Sequence, residues 1–204
     1  MYPFVSNDFL SQTATTIAWA IWRLSQNHDV VNKIRAELIK EGIWADSSAA
    51  PSYDELKKCA YLEAVVNETL RLYPPASPLS RQAKDPYEVC GGFRVGGATI
   101  FVSPYIMARH PLLWKDPEVF RPERFLDGSE HDISSKFIPF SRGPRDCIGK
   151  YFAMLEAKLA ISALVMQYNF KCVDPSDRPI AVVTTLPEKG AQVKFTRRED
   201  GQES

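Results

Sequence analysis

The chain has 204 residues, and its 25 Lys+Arg balance 25 Asp+Glu, so charge gives no argument for nucleic acid or for a strongly acidic partner. A hydrophobic fraction of 45% and a charged fraction of 25% are those of a globular protein with room for a core. No apolar run approaches the ~18–20 residues of a membrane span; the longest candidate, from Ile148 to Tyr168, is broken by Lys150, Glu156 and Lys158.

The opening, MYPFVSNDFLSQ, has no basic segment and carries Asp8, so it does not read as a signal peptide. The expectation is an intracellular chain without an anchor of its own. From Ser11, the positions Ile17, Ala20, Ile21 and Leu24 recur at helix spacing, and Val30, Val31, Ile34 and Leu38 form a second stripe that Gly42 stops. Ser52 and Glu55 spell a capping box and predict a helix start. The pattern beyond it runs to Pro74-Pro75, as one helix or two. YEVCGGFRVGGATIFVS, with its two Gly-Gly pairs, predicts short strands and a hairpin, and PYIMAR a brief helix. KDPEVFRPERFLDGSEHDISS is too rich in breakers for a long element and reads as irregular coil. A helix is expected from about Gly149 to Tyr168, with Phe152, Leu155, Leu159 and Leu164 inward, and then strands around Pro187.

Cys59, Cys90, Cys147 and Cys172 are irregularly spaced, with no C-x-x-C pair, so neither a zinc site nor a disulfide framework is expected. Cys147 sits in FIPFSRGPRDCIGK, just ahead of a helix whose N-terminal amides favour an anion. Three readings of this cysteine are open on residue type alone. It is an inert thiol in a tight turn, a nucleophile that would want a histidine base, or a metal or haem ligand. His28, His110 and His131 carry no local catalytic signature.

Phe140, Gly143, Arg145, Cys147 and Gly149 spell F-x-x-G-x-R-x-C-x-G, which resembles the cysteine-ligand loop of the cytochrome P450 family. Two further motifs agree in order. ETLR supplies an E-x-x-R with Glu68 and Arg71, and FRPERF supplies P-E-R-F with Arg124. The resemblance implies a mainly α fold with small β-sheets, read as the C-terminal part of the family fold: a single truncated domain, family-like from about Thr13. It implies haem b with Cys147 as axial iron ligand, Arg145 and Arg81 on the haem propionates, and Phe140, Gly143 and Gly149 close to the haem. Glu68, Arg71 and Arg124 are implied as a buried structural triad. The implied activity is a monooxygenase that inserts one oxygen atom from O2 into a small organic substrate. Electrons would come from a reductase, for which Lys136, Arg142 and Lys150 are the candidate basic docking face. Members of the family are often found at the endoplasmic-reticulum membrane.

One family element fits poorly. The family's oxygen-side helix carries A/G-G-x-D/E-T-T. Aligned on Trp19, Thr13 takes the second threonine, Gln12 the oxygen-activating threonine, Ser11 the acid and Phe9 the glycine. No catalytic acid/alcohol pair is therefore expected. The chain is also short for the family, and the expectation is a fragment lacking the N-terminal half. A non-catalytic remnant that binds haem weakly or not at all, and a helical interaction module, are the competing readings.

Overall fold

The computed structural model describes residues 5–44, 49–83, 86–89, 92–181 and 184–198. Cys90 lies outside them. Helix α1, Val5–Leu24, starts earlier than the periodicity predicts, since no glycine or proline interrupts residues 5–24. Trp19, Ala20, Ile21 and Leu24 are buried, and Trp19 stacks on Tyr73 with centroids 4.0 Å apart. Helix α2, His28–Lys40, buries Val30, Val31, Ile34 and Leu38 as their spacing predicts. It ends in a Schellman motif. Gly42 takes φ +69°, its N–H donates to Ile39 O, and the N–H of buried Ile43 donates to Leu38 O at 2.8 Å.

The following helical pattern resolves into two helices, α3 (Tyr53–Lys57) and α4 (Ala60–Leu72). The Ser52/Glu55 capping box starts α3. Helix α4 has no side-chain cap of its own. The Glu37 carboxylate on α2 accepts from Tyr61 N and Leu62 N at 2.7 and 2.9 Å, so a distant anion caps it.

Four two-stranded antiparallel sheets follow. Strands β2 (Tyr87–Val89) and β3 (Phe93–Val95) form the expected hairpin. Strand β1 (Leu79–Gln82), which the sequence does not announce, pairs with β4 (Thr99–Val102). Helix α5 spans Pro104–Arg109. The segment expected as coil contains a 3-10 turn, Pro122–Phe125, and one helical turn, α6 (Ile133–Lys136). After the long helix α7, Lys150–Gln167, β5 (Tyr168–Cys172) pairs with β8 (Val193–Arg197), and β6 (Pro179–Ala181) with β7 (Thr185–Pro187).

Helices α1, α2, α4 and α7 enclose one core with Phe170 of β5. Arg35 of α2 donates to Val165 O and Tyr168 O and so caps the end of α7 with a cation. Two expectations are corrected. The architecture is a full arrangement of helices and sheets over most of the chain, not only a C-terminal part, because α1 runs back to Val5 and its apolar face closes the core. The fully buried face of α7 is Ala157, Lys158, Ile161, Ser162 and Val165; Leu155, Leu159 and Leu164 pack against the core as expected but are only partly buried, whereas Phe152 is 69% exposed. The helix is apolar nearly all round, so its sequence could not say which stripe faces the core.

Replacing Ser52 by Ala removes the two bonds its hydroxyl makes with the Glu55 amide and carboxylate and is expected to cost about 1 kcal/mol, read as a lower urea midpoint at unchanged slope.

Candidate functional site

Helix α4 places Glu68 and Arg71 one turn apart, both almost completely buried. Arg71 grips the carboxylate with two bonds, Nε to Oε2 at 2.7 Å and Nη2 to Oε1 at 2.9 Å. Arg124, from the 3-10 turn, donates Nε to Glu68 Oε1 at 3.0 Å, and Arg121 N donates to the same oxygen at 2.9 Å. Both guanidinium groups also donate to backbone carbonyls. Arg71 donates to Ala108, Pro117 and Val119, and Arg124 to Lys115, Asp116 and Val119. One buried carboxylate thereby holds the irregular 108–124 segment against α4.

Two members of this cluster have no sequence signature. Glu130 accepts from Arg124 Nη1 at 2.6 Å and from Lys136 Nζ at 2.7 Å, and Lys136 Nζ also donates to Leu113 O at 2.6 Å. Burial alone would raise the Glu130 carboxyl. The hydrogen bond and charge of Lys136, the Lys115 amide and Arg124 hold it below the ordinary glutamate range. Trp114 lies buried among the cations, with Lys136 Nζ 4.4 Å from its ring centroid. Glu130 and Lys136 flank an aperiodic turn, so no spacing rule could have paired them.

The cysteine loop follows α6 directly. Ser141 and Gly143 take φ +64° and +88°, the second in open space, so glycine there serves the backbone conformation. Cys147 N donates to Phe140 O at 2.9 Å and closes the loop, and Gly149 is the N-cap of α7. Arg81, on β1, reaches across to Ser141 Oγ at 2.7 Å. Arg142 donates to Ser134 O on α6 at 2.6 Å.

A cleft of about 390 Å3 opens beside this loop. Cys147, a free and half-buried thiol, lines it together with Arg81, Phe140, Arg145 and Gly149. Val66, Leu70, Leu79 and Phe152 form apolar walls, and Gln12, Thr13 and Thr16 line it from α1. Pro75, Ala76 and Leu79 follow α4 into the same wall. Gly143 is not among the lining residues. The side chains of Phe9 and Ser11 lie outside the described residues. Arg145 has no hydrogen-bond or ion-pair partner among the described residues. A free thiol, an unspent guanidinium and apolar walls suit a flat apolar group with an anionic edge.

Phe140 also lines a second groove of about 420 Å3, together with Lys57, Lys150 and Tyr151. The docking face expected from sequence needs one correction. Lys136 is buried and paired with Glu130, so it offers no charge to a partner, whereas Arg142 and Lys150 are exposed.

Comparison with known proteins places this arrangement. The pattern of the family described as Cytochrome P450 matches residues 11–195. Cytochrome P450 3A29 of Sus scrofa is 36% identical over 191 residues, 92% of this chain and 37% of that protein. Cytochrome P450 3A5 of Homo sapiens is 33% identical over 92% of this chain and 37% of its own length. Cytochrome P450 3A19 of Capra hircus aegagrus is 33% identical over 91% of this chain and 86% of its own length. The chain belongs to the cytochrome P450 family. The match along nearly the whole chain overturns the expectation that the likeness is to a C-terminal half only, and the reading of a fragment missing its N-terminal half loses that ground. The chain spans 37% of the length of the pig and human relatives. Among the described residues, no helix is long and apolar enough to cross a membrane.

Replacing Glu68 by Ala strands two buried guanidinium groups and is expected to cost about 3–5 kcal/mol in urea unfolding. Lys33→Ala, which removes an exposed partner of Glu123, is the contrast at under about 1 kcal/mol.

Proposed function

We propose that the chain is a haem-binding monooxygenase, with Cys147 as the thiolate ligand of haem b. The observation that carries this reading is the free Cys147 thiol in the wall of an apolar cleft beside the uncommitted Arg145. Bound there, a thiolate-ligated haem supplies O2 activation, with one oxygen atom inserted into a small organic substrate and the other reduced to water.

The protein's own residues act around that chemistry. Arg145 and Arg81 line the cleft and would hold the propionates through their guanidinium groups, and the Arg81 bond to Ser141 ties β1 to the cysteine loop. Phe140 lines the cleft beside Cys147 and would pack against the haem next to its ligand. Gly143 gives the loop its turn, and Gly149 starts α7 directly beyond the ligand. Glu68, Arg71 and Arg124 act only through position. On the α1 side, the Thr16 hydroxyl donates to Gln12 O, so its proton is already engaged. Gln12 and Thr13 offer hydrogen bonds but no proton that titrates near neutral pH. No residue among those lining the cleft from α1 is a carboxylate.

An electron donor would approach the second groove, which Phe140 also lines. Lys57 and Lys150 line it and are exposed, and Arg142 is exposed on the same loop. This set suits an acidic reductase surface.

Supplied with haem, reduced and treated with CO, the protein is expected to show the red-shifted Soret band of thiolate ligation. Cys147→Ser should abolish that band, and Arg145→Ala should speed haem loss by about tenfold or more. A wild-type protein that takes up no haem would sink the reading. Reduction by the donor should slow as ionic strength rises, and a Lys57→Glu/Lys150→Glu variant should be slow at every salt concentration. Rates independent of salt would argue against this docking face.

A further inference from the structure

We propose that Glu130 and Lys136 are positioning residues that carry the order of the buried arginine cluster into the cysteine loop. The cluster and the loop belong to different parts of the chain. What joins them is a relay of alternating charge. Glu68 binds Arg124, Arg124 binds Glu130, and Glu130 binds Lys136, at 3.0, 2.6 and 2.7 Å. All four side chains are buried, and the relay ends one residue before the loop begins at Phe137.

Helix α6 cannot hold this place unaided. It is a single turn of four residues, too short to be stable alone. Its N-cap, Asp132, sits at φ +48° and gives no side-chain cap. Its position must come from outside contacts, and Lys136 supplies three: Glu130, Leu113 O and the face of Trp114. The loop is then registered on α6, because Arg142 donates to Ser134 O and Phe137 packs edge-on against Phe125 at 4.9 Å. If α6 shifts, the Phe140 carbonyl that fixes Cys147 N shifts with it. Lys136 belongs to this scaffold and not to a docking face.

The role in haem ligation rests on the proposed function, but the tether itself can be read without haem. Hydrogen exchange is measured on the haem-free wild type and on Glu130→Gln, Lys136→Met and Lys136→Arg. Removing a buried charged partner should speed exchange of the Cys147 amide and of its neighbours from 137 to 147 by about tenfold or more. The paired amides of β5 and β8 should be unchanged, and Lys136→Arg, which keeps the charge, should restore protection. With haem and CO, Glu130→Gln and Lys136→Met should move intensity from the red-shifted thiolate band to the ordinary band. Unchanged loop exchange in both charge-removing variants overturns the proposal, as does acceleration spread equally over the whole chain. If Glu130→Gln does not fold, Lys136→Met, whose side chain keeps its apolar stem, decides. If wild-type protein shows no Soret band, the haem reading fails while the exchange comparison still tests the tether.

Discussion

A carboxylate buried between two arginines is the constraint on which the rest of this structure depends. Glu68 has no access to water, so its charge must be met by donors of the protein, and it is: both arginines and the Arg121 amide bond to it. The arginines then require acceptors for their remaining N–H groups, and the carbonyls of the 108–119 segment supply them. A stretch with little regular structure is thus held by the demands of two cations. Removing the Glu68 carboxylate takes its partner from both buried arginines at once, so the members of the cluster depend on one another.

The cleft is built on this base from elements of quite different kinds. Helix α4 contributes Val66 and Leu70 from the same helix that carries Glu68 and Arg71, so one rigid element serves both cluster and cleft. The cysteine loop is irregular and takes its shape from two residues at positive φ, one amide bond to Phe140 O, and side-chain ties to β1 and α6. Membership in the cytochrome P450 family agrees with this division between a buried ionic scaffold and a loop that presents one thiol.

Much of the fold was legible because its signals act within one or two turns. The capping box at Ser52, the glycine stop at Gly42 and the buried stripe of α2 each follow from contacts a few residues apart. The motif spacings likewise brought Glu68, Arg71, Arg124, Arg145 and Cys147 into view. What escaped depends on partners far along the chain. Glu37 caps α4 from another helix, and β1 meets β4 some twenty residues on. Phe152 was expected inside because it is large and apolar, yet it faces the cleft. On a helix apolar on every side, only the neighbours decide which face is core.

Lys136, Arg142 and Lys150 show the boundary most clearly. By sequence they are equivalent cations around one cysteine. In the structure the first is buried on Glu130 and Trp114, the second is exposed and clamps α6, and the third is exposed and lines a groove. The sequence by itself determined the buried stripe of α2, the capping box at Ser52, the glycine stop at Gly42, the loop motif and the family to which it points, because these are written in residue type and local spacing. The tertiary structure alone decided which charges are buried, which carboxylate meets which cation, and which wall the thiol faces. Pairing and burial depend on distances through space between residues that the chain does not hold at any fixed spacing.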